Sequence, residues 1–145
     1  MNEFWLWFTT GLYHILDYHS YDHIIYIMAL CAIFTIKEWK PLSILITAFT
    51  IGHSITLALS VSGIIAIKQS FIEILIPLTI SITCIINLFY KNKKQSNYRF
   101  NYVLTMAFGF IHGMGFSYLL KSILGKEENI LLPLFSFNLG IEVAQ

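Results

Sequence analysis

Three ionisable side chains, His53, His112 and Glu142, lie in the middle of long apolar stretches, each far from a polar loop. At the centre of a bilayer such a group costs on the order of 3 kcal/mol, so a chain that keeps three of them has a use for them. Two imidazoles and a carboxylate are enough to hold a divalent metal ion. They could equally relay a proton. A second constellation lies in HILDYHSYDH, residues 14 to 23, with His14, Asp17, His19, Asp22 and His23. His19 and His23 are four apart and His14 and Asp17 three apart, so each pair shares a face if the stretch is helical. Imidazole nitrogen with carboxylate oxygen suits divalent nickel, cobalt, copper or zinc, and a carboxylate beside a histidine also orients the ring. The competing reading of each residue is a polar group satisfied by a neighbouring helix, or, for the 14–23 stretch, an interfacial turn.

Around these groups the sequence adds supporting polarity. In FTIGHSIT, residues 49 to 56, His53 stands beside Ser54, Thr50 and Thr56, whose hydroxyls could hold the ring's second nitrogen. In FGFIHGMGF, residues 108 to 116, Gly109 and Gly113 form a GxxxG that lets another helix approach His112 closely. In FNLGIEVAQ, residues 137 to 145, Asn138, Glu142 and Gln145 fall on one helical face. Glu73 and Asn87 could extend a polar path, each more simply read as a polar residue at a helix interface. Asp22 and His23 are then expected at the outer face as capture ligands, with His53, His112 and Glu142 together near the midplane.

The elements that must position these residues are membrane helices. The 145-residue chain is 57% hydrophobic and 12% charged, where soluble domains carry about 25% charged residues. Its mean hydropathy is +0.69. The expected fold is all-α: one domain over residues 1–145, a polytopic bundle of about five spanning segments plus an N-terminal interfacial helix. The aromatic segment Glu3 to Tyr18 reads as that interfacial helix. The further segments are 22–36, 41–67, 71–90, 101–124 and one from about Ile130 to Gln145. Pro41 fits a first helical turn and Pro77 a kink. The last segment has only 16 residues before the sequence ends, short of the roughly 20 a span needs, so the chain is expected to be C-terminally truncated. No cleaved signal peptide is expected from MNEFWLWF, which lacks a basic region. Cys31 and Cys84 lack zinc-like spacing and read as core residues. With a net charge of +1, electrostatic binding of nucleic acid is not indicated. Lys37, Lys40, Lys91, Lys93, Lys94 and Arg99 fall on one side, against Lys68, Lys121 and Lys126 on the other. The former side is expected to be cytoplasmic and the N-terminus outside.

These stretches, in this order, resemble the HupE/UreJ family of bacterial membrane proteins, and its second branch most. The resemblance rests on Gly11, His14 and Ile15, on DHIIYIMAL at 22 to 30, FTIGHSITLALS at 49 to 60, and Glu73 with Asn87-Leu88. It is completed by FGFIHGMGFS at 108 to 117 and FNLGIEVAQ at 137 to 145. Departures are Tyr21 where a glycine is usual before Asp-His, Ile86 where an acid is common, and Ala144 for a usual glycine. The resemblance implies a helical protein of the bacterial inner membrane, tied to hydrogenase or urease accessory systems, carrying nickel or cobalt. By carry-over, Asp22 and His23 match the family's aspartate-histidine motif, His53 and His112 its later histidines, and Glu142 its terminal acid. The expected function is a metal-ion permease rather than an enzyme. The divalent ion, nickel foremost, is its cargo, and no organic cofactor is expected. Expected partners are the lipid bilayer and the ion, with homo-oligomerisation left open. The alternatives are an intramembrane zinc hydrolase, in which Ser54 could assist, and a non-transporting accessory subunit for metalloenzyme maturation.

Overall fold

The computed structural model describes residues 2–17, 21–89, 98–124 and 130–145. The described residues form six α-helices: α1 (Glu3–Leu16), α2 (Tyr21–Cys31), α3 (Trp39–Val61), α4 (Gln69–Phe89), α5 (Tyr98–Leu124) and α6 (Leu131–Ala144), with a 3-10 turn at Ile36–Glu38 before α3. No strand occurs among the described residues. Apolar runs of this length have to satisfy their backbone internally in lipid, and helices do so. Among the described residues, three helical stretches are long and apolar enough to cross a membrane: Ile36–Val61, Gln69–Phe89 and Asn101–Ile123. The α2 and α6 helices are apolar but shorter. Three helices among the described residues thus have full spanning length, and α1, α2 and α6 are shorter. Large apolar side chains on α4, among them Ile74, Leu78, Ile85 and Leu88, point outward, as a lipid-facing surface requires.

Pro41 stands in the first turn of α3 and Pro77 inside α4, as their positions predict. The 3-10 turn carries a capping box, with Glu38 accepting from the Thr35 backbone at 2.9 Å and from its hydroxyl at 2.7 Å. This fixes how the chain leaves α2 and enters α3.

The most extensive helix pairings are α3 with α5 and α1 with α6. Both depend on glycine. A Cβ on Gly113 would collide with the His53 carbonyl oxygen and the Thr56 hydroxyl, and one on Gly109 with the Phe49 carbonyl oxygen. Contacts that advance together along both helices make α3 and α5 parallel. On the other pair, a Cβ on Gly11 would meet the Phe137 carbonyl and one on Gly140 the Phe8 carbonyl. These contacts advance in opposite senses, so α1 and α6 are antiparallel. The first segment is thus held against another helix of the bundle. It lies along α6 with Trp7, Gly11 and Ile15 buried, while Trp5 and Tyr13 face outward. Buried Phe137 and Ile141 of α6 join Leu57 and Leu120 of α3 and α5 in one apolar core.

Candidate metal site

Each of four helices carries one histidine into a common interior. His14 comes from the last turns of α1, His23 from the first turn of α2, His53 from α3 and His112 from α5. Ring centroids separate His23 from His14 by 4.8 Å, from His112 by 5.3 Å and from His53 by 6.0 Å. His14 and His53 are 6.2 Å apart. His53 is fully buried and His112 nearly so. The glycine seam explains the placement on α3 and α5: with Gly113 seated on the backbone of His53, the adjacent His112 is brought to the same level.

The hydrogen bonds around the rings assign roles to their nitrogens. The Asp22 carboxylate accepts from the His23 backbone N–H at 2.9 Å, and His23 Nδ1 lies 3.0 Å from the same oxygen. An Nδ1–H held by the carboxylate leaves Nε2 as a lone pair. His112 Nε2 lies 3.3 Å from Thr79 Oγ1. Thr79 donates its own hydroxyl hydrogen to the Ile76 carbonyl at 2.7 Å, so its oxygen accepts from His112, and Nδ1 of His112 keeps the lone pair. The freed atoms, His23 Nε2 and His112 Nδ1, are buried with no hydrogen-bond partner among the described residues. So are His14 Nε2 and both nitrogens of His53. An unpaired buried polar atom costs about 1–3 kcal/mol, and several in one place are what a site for an ion looks like.

Asp22, His23 and His112 each offer a ligand atom within 4.8 Å of the others. Asp22 and His14 lie outside the three long spans. Burial alone would raise the Asp22 carboxyl, but the bonds from His23 outweigh it and hold the group at about 2. Burial pushes the His14 imidazole down to about 3, with His23 acting in the same sense. A cavity of about 750 Å³ reaches this cluster from the ends of α2 and α4, past Tyr21, Gln69 and Glu73.

The structure redraws the expected site. Asp22, His23 and His112 come together, His53 adjoins them, and the outer capture pair and the midplane histidines are one cluster. His14, expected only as support, is inside it. Glu142 is not: its carboxylate accepts from Thr47 Oγ1 at 2.6 Å, and Thr47 lies six residues, about 9 Å of helical rise, before His53. Gln145 accepts from Thr50 at 3.0 Å, and Asn138 donates to the Leu134 carbonyl at 2.7 Å. Ser54 and Thr56 donate to backbone carbonyls of their own helix, at 2.7 Å to Thr50 and 3.1 Å to Gly52, rather than holding a ring nitrogen of His53. Glu73 lines the cavity, while Asn87 donates to the Ala29 carbonyl at 2.6 Å and ties α4 to α2. Asp17 caps α1 through its backbone. His19 and the loop Lys91–Asn97 lie outside the described residues. Sequence reading missed Thr79, which is two residues past Pro77 and carries no motif of its own.

Comparison with curated proteins and with solved structures gave no match. A family profile described as HupE / UreJ protein matches the chain from end to end. The glycines that seat α3 on α5 and the histidines they bring together stand in the same stretches that carry the resemblance, and the chain belongs to the HupE / UreJ family, matched over residues 1–145.

Proposed function

We propose that this protein is a membrane permease for a divalent metal ion, nickel or cobalt, which binds at the Asp22–His23–His112 cluster during its passage. The observation that carries the reading is the set of buried imidazole nitrogens, brought in by four helices with their lone pairs unused, at the end of an open cavity. Imidazole with one carboxylate favours borderline ions over magnesium or calcium, whose preferred ligands are all oxygen. Three close protein ligands leave several positions of a six-coordinate ion to water or to His14 and His53. Such partial coordination captures an ion yet lets it leave, as conduction requires. Glu73 and Asp22 put negative charge along the approach.

The proposed setting is the bacterial inner membrane. Lys37 and Lys40 sit at the end of the bundle opposite the cavity, so by the positive-inside rule the cavity opens outward. The loop charges led to an expectation of an outer N-terminus. In this setting α1 instead runs toward the outer face, because it ends where α2 begins, and its first residues lie on the inner side of Asp17.

The test is nickel binding to the purified protein together with uptake of labelled nickel by cells. His23→Ala and His112→Ala each remove a ligand, and each is expected to weaken binding about 100-fold or more and to abolish uptake. Wild-type binding and uptake in both variants would overturn the reading. Zinc that stays bound through chelation, with no uptake by the wild type, would turn it toward the hydrolase.

A further inference from the structure

The cluster opens at one end and is closed at the other by aromatic rings. Tyr26 and Phe49 lie 5.3 and 5.1 Å from His112, and Tyr26 packs against Phe108 at 6.3 Å. An ion bound at the cluster meets this floor of rings, all of them buried. Beside the floor runs a stripe of oxygen-bearing side chains on the facing sides of α4 and α5. Thr79, Thr83 and Asn87 recur every four residues along α4, and Asn101 and Thr105 do the same on α5. Thr79, Thr83 and Thr105 are 3%, 7% and 4% exposed.

The stripe begins at the site and ends at the far side. Its first oxygen, Thr79 Oγ1, touches His112. Its last members, Thr83, Asn87, Asn101 and Thr105, line a pocket of about 30 Å³ toward the opposite end of the bundle, room for about one water. From Thr79 to Asn87 the rise is about 12 Å. Thr79 and Thr83 donate their hydroxyl hydrogens to carbonyls of their own helix, at 2.7 Å to Ile76 and 2.9 Å to Thr79. Those bonds do nothing to join α4 to α5. They leave the hydroxyl oxygens as acceptors, the form in which a hydroxyl meets a cation. The oxygens are neutral, so they would hold an ion weakly and let it move on.

We propose that the ion leaves the histidine cluster along the α4–α5 seam, from His112 past Thr79 and Thr83 to the pocket between Thr105, Asn101 and Asn87. This rests on the permease reading. Thr83→Val and Thr105→Val keep the side-chain shape and remove the oxygen, whereas Thr83→Ser keeps the oxygen. Nickel uptake by cells and nickel binding to the purified variants are measured together. Both valine variants are expected to lower the maximal uptake rate about tenfold, with nickel affinity held within about twofold and Thr83→Ser transporting nearly as the wild type. Valine variants that transport at the wild-type rate, while His23→Ala still abolishes binding, would overturn the path and leave the permease reading in place. Valine variants that lose nickel binding in proportion to uptake would also overturn it, since the hydroxyls would then support the site rather than conduct. A wild-type protein that neither binds nor carries nickel ends both.

Discussion

The histidine cluster and the polar locus around Glu142 lie one to two turns apart along α3, and both bury groups that lipid would reject. They are built for different ends. Around Glu142, hydrogen bonds run between helices: Thr47 to Glu142 at 2.6 Å and Thr50 to Gln145 at 3.0 Å, each joining α3 to α6. Around the histidines, the bonds that form fix the rings, while nitrogens of His14, His23, His53 and His112 face a shared interior with no partner among the described residues. The first arrangement fastens two helices through one polar atom of each residue, while Glu142 Oε2, Gln145 Nε2 and Asn138 Oδ1 are also buried with no partner among the described residues. The second presents lone pairs to something that is not protein. A polar residue in mid-segment is therefore read by where its lone pairs point, and depth alone does not decide it.

The sharpest way to break this contrast is through the glycines that seat each region. A methyl at Gly113 would run into the His53 carbonyl and the Thr56 hydroxyl, and one at Gly140 into the Phe8 carbonyl. Both substitutions overpack a helix seam, at a cost of about 1–3 kcal/mol or more. Only the first separates α3 from α5 at the level of the cluster. Gly113→Ala is expected to weaken nickel binding about 100-fold or more, and Gly140→Ala by about tenfold at most, with similar losses of thermal stability. Equal losses of nickel binding in the two variants would mean that the two regions are not separable.

Asp22 offers a finer cut. Its carboxylate both takes part in the ligand group and holds His23 in one tautomer. Asn keeps the size and an acceptor oxygen but loses the charge. Asp22→Asn is expected to weaken nickel binding about 10- to 100-fold, without the stability loss of the glycine variants. Titration calorimetry on the purified protein reads it, and an unchanged affinity would leave Asp22 with no part in the site.

Much of this was legible from residues alone, and the part that was not has a physical cause. The helices start within three residues of the expected apolar segments, while α2 and α3 end five and six residues before them, because length and hydropathy place a helix in lipid without marking where it stops. His53, His112 and Glu142 stand out because each costs energy where it stands, and Asp22 and His23 because imidazoles and carboxylates crowd residues 14 to 23. Spacing along a helix does not reveal crossing angle or tilt, so the sequence separates the outer pair from the midplane histidines, whereas the rings of His23, His53 and His112 lie together. His14 was underrated for the same reason. The signal that could have placed it is Gly11, one turn earlier on the same face of α1, which seats that helix against Phe137 of α6. Gly140 is its counterpart, and a glycine in each of two short apolar helices points to a close pair.

The smallest effect belongs to Glu142, and it tests the contrast from the other side. Its depth made it a partner for His53 and His112, but its carboxylate accepts from Thr47 while the ligand group closes around Asp22, His23 and His112. Glu142→Gln keeps an acceptor oxygen for Thr47 and removes the charge, so the α3–α6 fastening survives. Loss of charge-assisted character in that one bond costs about 1 kcal/mol. Nickel affinity is expected to stay within about threefold of the wild type, with a lowered melting temperature as the main change. A loss comparable to that of Asp22→Asn would show the carboxylate reaching the ion after all, by a movement of α6 toward the cluster, and the fastening would then be one position of a mobile ligand.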